Sequence, residues 1–332
     1  MKYLKILCLA LTLLCVASSA TFAKEEFPIN IAVEFTDHAA SAYIAQHKGW
    51  FEEEGLKPTF YSYVTGMSLA AALGRGDIKA AYMCLLPAIN AYANAKVPIK
   101  VVTGLHKHGY ALTVNPDKIK TVKELERADI RLGAVQIGGP VDAILLKTIE
   151  KYGLDRSKVL NRVQRMNPPV QIMAIRMGKL DASFSPEHWP AMAEEAGFKV
   201  LVSSQDVWPR MQGSVLVVKD ELMKNHPDIV RKLAKITAKA TGWIKDNPGE
   251  AAAIMAEQLR VAGDKVFPVE AAKTAAQSTV TSQIVRRSMK RLDYTIDIDP
   301  VTIQESIDFA ARNGYIKSGF KASDILDLRF SK

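Results

Sequence analysis

Cysteine is scarce in this chain: three residues in 332, at positions 8, 15 and 84. Two of them fall in MKYLKILCLALTLLCVASSATFA, where Lys2 and Lys5 precede an apolar run and then small residues. That order of basic start, apolar stretch and small-residue end is a secretory signal peptide over residues 1–23, with cleavage expected after Ala23 or, alternatively, Ala20. Leu14 and Leu7 precede the two leader cysteines, where a lipid-attachment site wants small residues, so lipid anchoring is the weaker reading. Only Cys84 remains after cleavage, which excludes an internal disulfide and fits a bacterial periplasm better than a disulfide-stapled secreted domain. Beyond the leader no apolar run reaches membrane-spanning length. The metalloprotease HExxH, the paired CxxC of zinc sites and the GxSxG of esterases are all missing. Basic residues are dispersed; with an export signal, that argues against nucleic acid as a partner. The formal charge of +9 falls to +7 without the two leader lysines, a field that suits an anionic ligand or a transporter surface.

What is present is alternation. INIAVEF reads as a strand, then a helix runs to His47; LKPTFYSYV, IKAAYMCLL and IKVVTGL follow as strands, with helices in MSLAAALGRG and PAINAYANA. A second run begins at TVKELERA, a helix opened by a capping box of Thr121 and Glu124. It continues through strands IRLGAV, VLNRVQRM, LDASFS and KVLVSS with helices between, then GSVLVV as one more strand. From Lys219 onward the pattern is mostly helical, including VEAAKTAAQSTV. Short connections between alternating elements imply an α/β fold built on mainly parallel sheets flanked by helices. The stretches LAAALGRGDIKAAYM and IMAIRMGKLDASFS share a helix, Gly, Asp, strand order, so two lobes on one plan are expected.

Ligands of open parallel sheets bind beyond the carboxyl ends of the strands, where helix N-termini offer free N–H groups. The strand ends supply Asp37 and His38; Tyr63, Thr65 and Gly66; Met83 and Cys84; His106; Gly138 and Gly139; and Glu187 with His188. These twelve are the candidate ligand-binding residues. Plainer readings exist for each: Asp37 and Thr65 as helix N-caps, Gly138-Gly139 as a tight turn, Tyr63, Met83 and Cys84 as packing, Glu187 and His188 as solvated loop. His106-x-His108 could put two metal ligands on one side of a strand, but no third or fourth follows in sequence, so neither metal nor cofactor is expected.

The chain resembles the periplasmic substrate-binding proteins of ABC transporters. The likeness is carried by GWFEEEGL (49–56), AALGRGDI (71–78), GKLDA (178–182), EHWPAMAEEAG (187–197), VWP (207–209), NHPDIVRKL (225–233) and DNPGEAA (246–252). It is most similar to the nitrate/sulfonate/taurine branch, which includes binders of thiamine-pyrimidine precursors. The resemblance implies a two-lobed periplasmic-binding-protein type II fold, lobe one at 27–107 and 213–332 and lobe two at 108–212, joined by two crossing strands. It also implies a monomer that closes on a small-molecule ligand and meets a membrane permease. On this reading the Thr36-Asp37-His38 corner points into the cleft at Gly138-Gly139 and Glu187-His188. Anion binders of this branch carry hydroxyls at the second-lobe helix start, and Gln136-Ile137-Gly138-Gly139-Pro140 has none; Asp37 and Glu187 would instead suit an N–H-rich heterocycle or amine. The alternatives are an enzyme like the thiamine-pyrimidine synthases, whose cysteine-rich motif is missing here, or a sensor presenting its ligand to a membrane receptor.

Overall fold

A computed structural model describes residues 26–266 and 280–331. The signal peptide expected at 1–23 and most of the helix expected at 269–280 lie outside the described residues. The described residues form eleven strands: β1 (Phe27–Glu34), β2 (Leu56–Tyr63), β3 (Ala80–Cys84), β4 (Ile99–His108), β5 (Tyr110–Val114), β6 (Leu132–Ala134), β7 (Val163–Arg165), β8 (Ala182–Pro186), β9 (Lys199–Ser203), β10 (Gln212–Lys219) and β11 (Leu292–Tyr294).

They form two sheets, ordered β11-β4-β10-β3-β1-β2 and β7-β6-β8-β5-β9. In the first, β1 lies parallel between β2 and β3, and β10 runs antiparallel between β3 and β4. In the second, β6 lies parallel between β7 and β8, and β5 runs antiparallel between β8 and β9. Strands β4-β10-β3-β1-β2 repeat the plan of β9-β5-β8-β6-β7, with β10 and β5 each arriving from the other half of the chain, and β11 is added antiparallel to β4 at one edge. This repeat is the one that the paired helix-Gly-Asp-strand stretches announce.

β3, β5 and β10 are buried along their whole length. Central strands covered on both faces read as continuous apolar runs rather than alternating ones. Two apolar clusters cover the faces: one runs through strands of both sheets, with Ala81, Val215, Leu112 and Phe184, and the other joins Ile31, Leu216 and Leu105 of the six-stranded sheet to Trp189 on helix Trp189–Glu195.

Several local expectations are corrected. IKAAYMCLL gives a strand only to Cys84, and Leu85–Ala93 is already helix. VLNRVQRM splits into helix Arg156–Leu160 and strand β7. The Thr121–Glu124 capping box is present, but it opens a 3-10 turn, Val122–Glu126. β5 and β11 carry no expectation from the alternation at all. Between β4 and β5 only Gly109 intervenes, with φ of +86°, and His108 before it holds φ of +65°. That left-handed pair turns the chain from one sheet into the other, a conformation that L side chains rarely adopt.

Candidate functional site

One cavity lies between the two sheets. Its walls include Glu34, Thr36, Thr65, Gly66 and Cys84 from the six-stranded side, and Tyr110, Gln136, Gly139, Pro168 and Pro186 from the five-stranded side. Its volume is about 40 Å³, room for a few waters at about 10–15 Å³ each. Four helices begin there: Gly66–Arg75 behind Thr65, Leu85–Ala93 behind Cys84, Pro140–Tyr152 behind Gly139, and Pro168–Arg176. Each brings the positive end of its backbone dipole, so the cavity favours negative charge.

Local chemistry explains how each wall forms. Thr65 Oγ1 accepts from Ser68 N at 3.2 Å, capping its helix. The same oxygen accepts from Gln136 Nε2 at 2.9 Å, which ties the two sides together. Gly66 is a glycine by necessity: a Cβ there would overlap Glu34 Oε1 and lie 2.7 Å from Pro87 Cγ. Glu34 ends β1 with both carboxylate oxygens engaged by Cys84, from its N–H at 2.7 Å and its thiol at 2.8 Å. Burial pushes the Glu34 carboxyl up to about 7, against those two bonds. Burial likewise pushes the Cys84 thiol well up, and the Glu34 charge adds to it.

Of the twelve candidates, Thr65, Gly66, Cys84 and Gly139 line the cavity. Met83 is fully buried in the sheet, Tyr63 ends β2 half-buried, and Gly138 turns with φ of +86°. The remaining five form a different layer. Asp37 and His38 do face Glu187 and His188 across the two halves: Asp37 feels the Glu187 charge and His38 feels His188. This contact is filled with protein, and it is buried. Ser288, on helix Ser282–Met289, donates its hydroxyl to Asp37 Oδ2. Arg291 just beyond donates to Glu187 at 2.6 Å and to Glu194 at 3.1 Å. Asp37 is pushed up to about 8 by burial first and by Glu187 after it. Burial holds His38 and His188 down to about 3, and His106 well down, so all three stay neutral imidazoles. The cap of the turn at 37–39 is Thr36, whose Oγ1 accepts from His38 N at 3.1 Å, and not Asp37.

Glu34, Tyr110 and Gln136 are among the polar wall residues that reading strand ends missed. For Glu34 a signal existed: it is the one charge in IAVEF, a strand otherwise apolar. Tyr110 and Gln136 had no comparable mark. A second tie crosses between the sides where Tyr315 donates to Asp142 Oδ2 at 2.5 Å. Asp142 is also paired with Arg165 at 2.7 Å.

Among solved structures the fold is shared with the ligand-binding component of an ABC-type import system from Staphylococcus aureus with zinc bound (17% identity, TM-score 0.75, 92% of this chain and 98% of that one). The alkanesulfonate-binding protein of Xanthomonas axonopodis pv. citri bound to MOPS is similar too (15%, 0.71, 92% and 99%). So is the periplasmic nitrate-binding protein of Synechocystis PCC 6803 (15%, 0.71, 92% and 87%). These place the fold among periplasmic binding proteins. No curated protein matches the sequence. The profile of the NMT1-like family matches residues 23–260, most of the chain, and the protein therefore belongs to the NMT1-like family.

Proposed function

We propose that this chain is an extracytoplasmic solute-binding protein that captures a small organic anion between its lobes and delivers it to an ABC importer. The convergence of four helix N-termini on one cavity at the carboxyl ends of strands from both sheets carries this reading. The fold shared with importer components that bind an alkanesulfonate or nitrate supports it. Lobe one would comprise 27–107 and 213–332, lobe two 108–212, with His108-Gly109 as a hinge point. Val64, Met67, Val135, Val141 and the prolines offer an apolar wall for the organic part. Asp37 and Glu187 lie in the buried layer behind the cavity, so they no longer argue for an amine or N–H-rich heterocycle. Export by the leader would place the protein in the periplasm, and no helix among the described residues is long and apolar enough to cross a membrane.

A thermal-shift panel on the purified protein tests this, with alkanesulfonates, taurine, nitrate and aromatic carboxylates on one side and aminopyrimidines and polyamines on the other. A ligand at about a hundred times its Kd adds about 2.7 kcal/mol. A shift with members of the first group is expected. A shift confined to the second would overturn the anion reading while leaving the binding-protein role standing.

A further inference from the structure

Three donors of three kinds meet beside the cavity: the Glu34 carboxylate and the Cys84 thiol line it, and the His38 imidazole, four residues after Glu34, lies buried behind them. One ligand atom from each lies within 4.8 Å of the others, and all three residues are buried. Cys84 Sγ sits 2.8 Å from Glu34 Oε2 and 3.9 Å from His38 Nδ1. Around a tetrahedral zinc ion, with bonds of about 2.0–2.3 Å, donors stand about 3.3–3.7 Å apart. The sulfur-to-nitrogen spacing is close to that, and the sulfur-to-oxygen spacing needs to open by under about 1 Å.

We propose that Glu34, His38 and Cys84 form a three-ligand site for a soft divalent cation of the Zn²⁺ type, with its fourth position open to the cavity. His38 is already oriented for it. Its Nε2 donates to Gly109 O at 2.9 Å, which leaves the Nδ1 lone pair turned to the thiol, the outer-shell bond that metal-ligating histidines make. The nearest groups beyond the donors are hydroxyls: Tyr110 Oη at 2.9 Å from Sγ and Ser214 Oγ at 3.6 Å, both able to donate to a thiolate. Charge also balances. A thiolate and a carboxylate together cancel a divalent ion, so the loaded site buries no net charge, whereas a metal-free ionised Glu34 is buried with no cation paired to it among the described residues. Binding sends the thiol proton to solvent. Glu34 and Cys84 line the cavity, which gives the ion a route in when the lobes separate. A mixed sulfur, nitrogen and oxygen donor set is one that suits zinc, and a three-ligand site with one open position is the form that can hold an exchangeable fourth ligand. The inference stands apart from the identity of the cargo.

Reduced, chelator-treated protein titrated with Co²⁺ tests it. A sulfur-to-cobalt charge-transfer band should rise to one ion per chain and be displaced by Zn²⁺. Cys84→Ser, which keeps size and a hydroxyl for the network, should abolish the band. His38→Gln and Glu34→Gln should each weaken Zn²⁺ binding more than tenfold by calorimetry. No band in the wild type at saturating Co²⁺ overturns the site whatever the variants do. A band that survives in Cys84→Ser, or unchanged Zn²⁺ affinity in folded His38→Gln, overturns this ligand set.

Discussion

Gly66 shows how tightly single residues are constrained at the cavity. Its missing side chain lets the start of one helix lie against the Glu34 carboxylate and Pro87. Gly66→Ala should therefore cost about 1–3 kcal/mol, the usual range for overpacking, and displace Glu34; chemical denaturation and ligand affinity together read both effects. Away from the cavity, Asp181 is a second sharp case. It accepts from Arg131 at two positions, 2.7 Å to each oxygen, and from Lys118 at 2.7 Å. The Arg131 hydrogen bonds above all hold its carboxyl well below the usual range, with Lys118 adding to them. A depressed folded value means that the stabilisation is complete above the unfolded value of about 4 and withdrawn as pH falls below it. Asp181→Asn should lower stability at neutral pH by about 2–3 kcal/mol, on the scale of charge-assisted hydrogen bonds. It should also flatten the acid limb of stability against pH; an unchanged acid limb would count against the assignment.

Helix Ser282–Met289 and the turn after it act at the next scale, wedging a polar layer behind the cavity. Arg291 is the cation that Glu187 and Glu194 share, and Arg287 adds a bond to Glu195 at 2.6 Å. Removing one partner of a buried ion pair leaves the other charge uncompensated, at about 3–5 kcal/mol. Arg291→Met should incur a cost of that size in thermal or urea unfolding. Pairing it with Glu187→Leu should recover much of the loss, since the stranded carboxylate is gone. If the double variant is as unstable as the single one, the layer is held by something other than this pair. Two lighter ties, Gln136 to Thr65 and Tyr315 to Asp142, join elements from opposite sides of the cavity. Gln136→Ala should weaken ligand binding about two- to tenfold, the worth of one neutral hydrogen bond, while leaving the unfolding midpoint of the ligand-free protein nearly unchanged.

For the whole molecule, the matching strand orders and the His108-Gly109 crossover describe two sheets joined by a short connection, which the proposed function would use as a hinge. On the proposed function, a cavity of about 40 Å³ would admit an organic anion by the two sides parting and closing again. Small-angle scattering should show a larger radius of gyration without ligand than with it. Equal radii at saturation would argue for a rigid cleft. Gly109→Ala should also oppose the crossover, because a Cβ there would lie 2.8 Å from His38 Nε2 and the backbone holds φ of +86°.

The sequence alone determined what is local. Strand and helix alternation, the Thr65 cap, the Thr121 capping box and the shared Gly-Asp-strand stretches depend on neighbours a few residues apart, and all are found in the fold. Only the tertiary structure decided which strand ends meet a cavity. Asp37 and Glu187 looked like ligand contacts because both stand at the carboxyl ends of strands. Their partners, Ser288 and Arg291, come from a helix and turn that lie about 250 and 100 residues further along the chain. β5 was invisible for a related reason: one glycine separates it from β4, so no helix or polar loop marks the passage between sheets. Burial supplied the rest. A carboxylate in an apolar strand, a histidine after it and a cysteine 46 residues beyond that histidine become one cluster only when β1 and β3 lie side by side.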